Sequence, residues 1–175
     1  LGRLDGRGFI AEGEGFAPRP AASLARRVEV KLPRDAGEAA RFTAPGGFEV
    51  RVREIGAEGE ASIVEGAVSH RRAGGSSFWT VTDGGVEEWL HLAAGTVSSD
   101  DEVAAAWEIE GAELVPMHGA VALMDGEGAA RAWVIAPEAY GASGRKVALR
   151  LGARDHRIEL FADARGEELL VDPGW

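Results

Sequence analysis

The sequence predicts an all-β fold, an antiparallel β-sandwich or related two-sheet architecture with about eleven short strands and little helix. Three observations carry this expectation. Apolar residues recur at every second position in short segments, which puts one row of side chains in a core and the other in solvent. Short loops containing Gly, Asp and Ser separate these segments at hairpin spacing. Helix candidates are few: Asp35–Arg41 is short and interrupted by Gly37, and Ser98–Ala106 reads as a loop running into a strand despite its N-cap-like Ser-Ser-Asp-Asp.

Residues 1–24 are rich in glycine and proline and hold only isolated apolar side chains such as Phe9, Ile10 and Phe16. They read as a flexible or docking N-terminal arm, ahead of a single β-sandwich-like domain over 25–175. Ordering a glycine-rich arm costs conformational entropy, so it must rest on something. Phe9, Ile10 and Phe16 are therefore the candidate assembly segment, able to dock on a sheet or extend its edge, within the chain or between copies. In the domain, Val28, Val30 and Leu32 alternate with polar residues, as do Phe48, Val50 and Val52. Further strands are predicted at Ser62–His70, Ser77–Thr82, Val86–Leu92, Ala105–Ile109, Ala120–Met124, Arg131–Ala136, Val147–Leu151, Arg157–Phe161 and Glu168–Val171. The connections Asp83-Gly84-Gly85, Asp125-Gly126-Glu127-Gly128, Ala142-Ser143-Gly144-Arg145, Gly152-Ala153-Arg154-Asp155 and Ala164-Arg165-Gly166 supply turn residues between them.

Composition narrows the function. The 175 residues carry a formal net charge of −10, nearly all of it in the C-terminal half. Phosphate recognition needs a concentrated basic face, so nucleic acid is not expected as a partner. No apolar run approaches the ~20 residues of a transmembrane helix, so no transmembrane segment is predicted. With no cysteine, disulfides, thiolate nucleophiles and cysteine-ligated metals are excluded. The chain opens at Leu1 without a methionine or an export signal, which reads as a processed or excised piece of a longer protein.

No residue set has the spacing of a catalytic or metal centre. His70, His91, His118 and His156 are dispersed, with no HxH or HExxH pair to direct two imidazoles at one ion. Ser76 and Ser77 follow two glycines, but there is no GxSxG elbow. Asp100, Asp101, Asp125 and Glu127 offer oxygen ligands for calcium without the ordered ligand series of an EF-hand loop. Neither cofactor nor catalysis is expected. Tryptophan offers more, because Trp79, Trp89, Trp107 and Trp133 all fall in predicted strands, and a row of exposed rings is a platform for carbohydrate. Trp107 shares a face with Ile109 and belongs in the core. Trp89 shares a face with Glu87 and His91, opposite Val86, Leu90 and Leu92, and is partly exposed. Trp79, Trp89 and Trp133 are the candidate ligand platform.

Four motifs occur in a telling order: Gly84-Gly85-Val86-Glu87-Glu88-Trp89-Leu90-His91-Leu92, then Val121-Ala122-Leu123-Met124 with Asp125-Gly126-Glu127-Gly128, then Trp133-Val134-Ile135-Ala136-Pro137, then Leu169-Leu170-Val171-Asp172-Pro173. In this respect Phe78–Trp175 resembles the uncharacterised β-rich N-terminal domain that precedes seven-bladed-propeller-type, FG-GAP or Kelch repeats in large secreted bacterial proteins, especially myxobacterial ones. The resemblance implies an extracellular or cell-surface location and a structural or interaction role without catalytic residues. It also implies that Asp172-Pro173 closes the domain, in keeping with the way proline ends strand pairing. The expected partners are proteins or copies of the chain itself. A carbohydrate- or ligand-binding sandwich, using the tryptophans or an acidic calcium loop, is the alternative.

Overall fold

Period-two patterning is realised throughout the computed structural model, which describes residues 8–19, 28–82 and 85–174, without the side chains at 136, 137, 173 and 174. Among the described residues, seventeen strands build two antiparallel sheets, and there is no helix. Across the first sheet run β1 (Phe9–Glu12), β2 (Gly15–Pro18), β3 (Glu29–Pro33), β4 (Ala40–Thr43), β5 (Glu49–Glu54), β10 (Val103–Glu110), β16 (Arg157–Ala162) and β15 (Leu149–Arg154). Across the second run β11 (Glu113–Met117), β12 (Ala120–Met124), β13 (Ala130–Gly141), β17 (Leu169–Gly174), β9 (Val86–Leu92), β8 (Gly75–Val81), β7 (Ala67–Arg72) and β6 (Ala57–Val64), with β14 (Lys146–Val147) paired to β13.

Alternation decides what is buried. In β9, Val86, Glu88, Leu90 and Leu92 point inward, and in β8 Ser77, Trp79 and Val81 do. They meet Val50, Val52 and Glu54 of β5 and Trp107 and Ile109 of β10 in one core. Burying a large apolar side chain contributes about 1.5–3 kcal/mol, so these rows supply much of the driving force.

The strand count exceeds the expected eleven because one predicted segment is a hairpin, Val147–Leu151 falls across β14 and β15, and β1, β2, β4 and β11 lie outside the predicted segments. Ser62–His70 reverses at Glu65-Gly66, whose φ angles of 50° and 87° make the mirror-image turn that matches strand twist. The N-terminal arm contributes another hairpin. Phe9 and Phe16 are buried in the common core and Ile10 is half-buried, so the candidate assembly segment is used inside the chain. Residues 1–7 and 20–24 of that arm lie outside the described residues, as do Asp83 and Gly84 of the predicted turn.

Two further features shape the sheets. The edge strand β6 is covered where Ala36 N–H donates to Gly59 O (2.9 Å) and Ala61 N–H to Arg34 O (2.7 Å), which protects an otherwise open row of backbone groups. Pairing continues past Pro173, contrary to the expected stop at Asp172-Pro173: Gly174 still faces Ile135 on one side and Glu87 on the other. The register of β13 shifts between Ile135 and Glu138 opposite this proline, and a bulge is where a residue without an N–H is tolerated in a sheet.

Candidate functional site

Three places on the sandwich carry chemistry. The first is a polar network inside the core. Glu54, at the inner end of β5, is 5% exposed, and its Oε1 accepts hydrogen bonds from His70 Nδ1 (2.6 Å) and Trp79 Nε1, while Oε2 accepts one from Ser77 Oγ. Burial works to raise the pKa of this carboxyl, but the hydrogen bond and charge of His70, with Ser77 and Trp79, outweigh it and hold it below the ordinary range. Glu88, fully buried on β9, accepts a hydrogen bond from Trp107 Nε1 (2.8 Å). Burial, and then the negative charge of Glu54, push its pKa well above the ordinary range, against the opposing pull of Arg72. The two carboxyls are thus pushed in opposite directions, Glu54 toward its ionised form and Glu88 toward its protonated form. Ser77 is 0% exposed and gives its hydroxyl proton to Glu54 rather than to His70, so the trio is not arranged as a nucleophile and its base.

The second place is the outer face of the nine-stranded sheet. Residues directly opposite each other on neighbouring strands share a face. Register therefore groups Met117, Ala120 and Ile135 in one row and Val115, Ala122 and Trp133 in the next. Met117 is 56%, Ile135 57% and Trp133 48% exposed, and Val115 is exposed as well. Elsewhere on this face Trp89 lies half-buried opposite Phe78, and the exposed Tyr140 lies opposite the exposed Leu170. Between these apolar groups Glu138 stands opposite Asp172. Lys146 and Tyr140 both hydrogen-bond to Glu138 and lower its pKa, while partial burial and then the charge of Glu138 raise that of Asp172. Glu87 on β9 is raised in the same way, by burial and then by Asp172.

The third place is a cleft of about 340 Å³ between the two sheets. Its walls are Val28, Phe42, Ala44, Phe48, Val50 and Val52 on one side and Val86, Leu123 and Ala132 on the other; Gly85, Arg131, Trp133 and Ile135 complete the lining, the last two shared with the exposed outer-face patch. Phe42 also meets the ring of Trp79, centroids 5.9 Å apart, so a single layer of aromatic side chains links the cleft to the buried network. Arg131 is its one charged residue among the described residues.

The predicted platform is therefore divided. Trp89 and Trp133 are on the outer face, but Trp79 is 1% exposed and points into the core, because it shares its strand parity with Ser77 and Val81. It does not belong to a surface platform. Asp125 of the acidic loop spends its carboxylate on its own turn: Oδ1 accepts the N–H groups of Glu127 and Ala129 (2.9 Å each) and Oδ2 bonds Arg131 Nε (2.5 Å). Those contacts lower its pKa. Asp100, Asp101 and Glu127 are exposed, and no group of three His, Asp or Glu side chains suited to a metal ion occurs among the described residues. His91 pairs with Glu168 (3.0 Å), and His118 and His156 lie exposed in turns. Sequence reasoning missed Glu54, His70, Ser77 and Glu88 as a group, although the parity of β5 and β9 already put Glu54 with Val50 and Val52, and Glu88 with Leu90. Comparison with protein-family models, curated proteins and solved structures finds no match.

Proposed function

We propose that the chain is a non-catalytic structural or interaction module of a larger extracellular or cell-surface bacterial protein, and that it associates with copies of itself through the outer face of β11, β12 and β13. The observation that carries this reading is the adjacency of Val115, Met117, Trp133 and Ile135 on one uncovered sheet face. Single exposed apolar residues are ordinary, whereas a contiguous patch marks an interaction surface. The resemblance of residues 78–175 to domains that precede repeats in secreted proteins supports the location.

Light scattering tests the reading. The net charge of −10 makes copies repel one another at low ionic strength, so added salt should screen the repulsion and increase the mean mass. Met117→Glu puts a charge on an exposed position of the patch and should return the mass to that of one chain with little effect on the unfolding midpoint. A mass independent of concentration, salt and this substitution would overturn the proposal.

Carbohydrate binding is a second reading, favoured by the outward Trp89 and Trp133. The carboxylates of Glu138 and Asp172 lie on the same face and would accept hydrogen bonds from sugar hydroxyls. Saturable quenching of tryptophan fluorescence by oligosaccharides, lost in Trp89→Ala, would establish it in place of self-association.

A further inference from the structure

We infer that the cleft between the sheets is a binding site for a medium-chain carboxylic acid, its acyl chain between Phe42, Phe48 and Leu123 and its carboxylate on Arg131. The walls are apolar on both sides, and Val28, Phe42, Phe48 and Ala132 are only partly buried although they pack on the core. Each leaves apolar surface in the cleft that an acyl chain would remove from water, at about 25 cal/mol per Å². A volume of about 340 Å³ lies in the range of small-molecule sites. At about 30 Å³ per water-sized group it holds roughly ten heavy atoms, a chain of medium length.

Arg131 decides the head group. It is the only charged residue in the lining among the described residues, and its side chain is 47% exposed, which puts the guanidinium on the solvent side of an apolar interior. Its Nε is engaged by Asp125 Oδ2, whereas its two terminal nitrogens have no partner among the described residues. Asp125 is itself satisfied by the N–H groups of Glu127 and Ala129. The terminal nitrogens therefore remain available for a second carboxylate, whose two oxygens match the fork of a guanidinium. In a chain of net charge −10, Arg131 is the cation that the described lining offers an anion at this cleft. A neutral hydroxyl accepts from the guanidinium without the charge or the two-oxygen match of a carboxylate, and a quaternary ammonium head accepts nothing.

Calorimetric titration with decanoate, decanol and decyltrimethylammonium, each below its micellar concentration, tests the site. Decanoate should bind saturably at one per chain and more tightly than the other two. Arg131→Gln should weaken decanoate about tenfold, the equivalent of one charge-assisted hydrogen bond, and leave decanol unchanged. Ala132→Phe fills the cleft and should abolish both. Arg131 is exposed, so its variant keeps the test decisive if Ala132→Phe does not fold. Absence of saturable decanoate binding, or equal binding of all three amphiphiles unaffected by Arg131→Gln, would overturn the inference. Met117 is not part of the cleft lining, so the self-association test succeeds or fails separately.

Discussion

Glu88 and Glu54 show how one residue's position in an alternating strand sets its chemistry. Both occupy inward positions that their neighbours fill with valine or leucine. An unpaired buried charge is expensive, so the pair survives only by dividing its roles. Glu88 has a folded-state pKa well above the ordinary value of 4.5. Its contribution to stability is complete below that value and is lost as pH rises toward the folded pKa, because the unfolded chain releases the proton first. Glu54 behaves oppositely: its lowered pKa stabilises the fold above the ordinary value, and the gain disappears in acid. Glu88→Gln keeps an acceptor for Trp107 without an ionisable proton. Urea unfolding across weakly acidic to weakly alkaline pH should find the variant gaining on the parent as pH rises. Glu54→Leu leaves the donors of His70, Ser77 and Trp79 without an acceptor and should cost about 3–5 kcal/mol, read from the same unfolding curves. Retention of full stability would show that water replaces the carboxylate.

Strands were legible in the sequence wherever apolar and polar residues alternate cleanly. Val86–Leu92 and Ala120–Met124 have the predicted bounds, because each presents one consistently apolar row. The hairpins β1–β2 and β6–β7 were not resolved as pairs of strands. Their short arms contain Ala, Gly and Glu, residues with little strand preference, and pairing with neighbours holds them extended. Gly75 opens β8 where a Cβ would stand 1.9 Å from the carbonyl oxygen of His91, an atom of backbone that cannot swing away. Gly75→Ala must therefore push β8 from β9 and should destabilise the fold by about 1–3 kcal/mol, a change visible in thermal unfolding. An unchanged midpoint would mean that the start of β8 yields without cost.

At the scale of the molecule, two sheets face each other with a shared core, one side stitched by the 34–36 segment along β6 and the other formed where β15 approaches β11, β12 and β13. The all-β class, the antiparallel pairing and the inward places of Trp107, Ile109, Val121, Leu123, Ile158 and Leu160 were determined by sequence alone, since period-two alternation and turn residues act locally. So was the outward direction of Trp89. Tertiary structure decided the rest. The sequence around Trp133 is apolar on both parities, Ala132 and Val134 against Trp133 and Ile135, so only pairing with β12 selects the face that enters the core. Trp79, expected on the surface platform, is instead turned into the core, where Glu54 of the other sheet accepts its indole N–H. The cleft, the exposed patch and the carboxyl pair each join strands far apart in the chain, and no local pattern encodes which strands become neighbours.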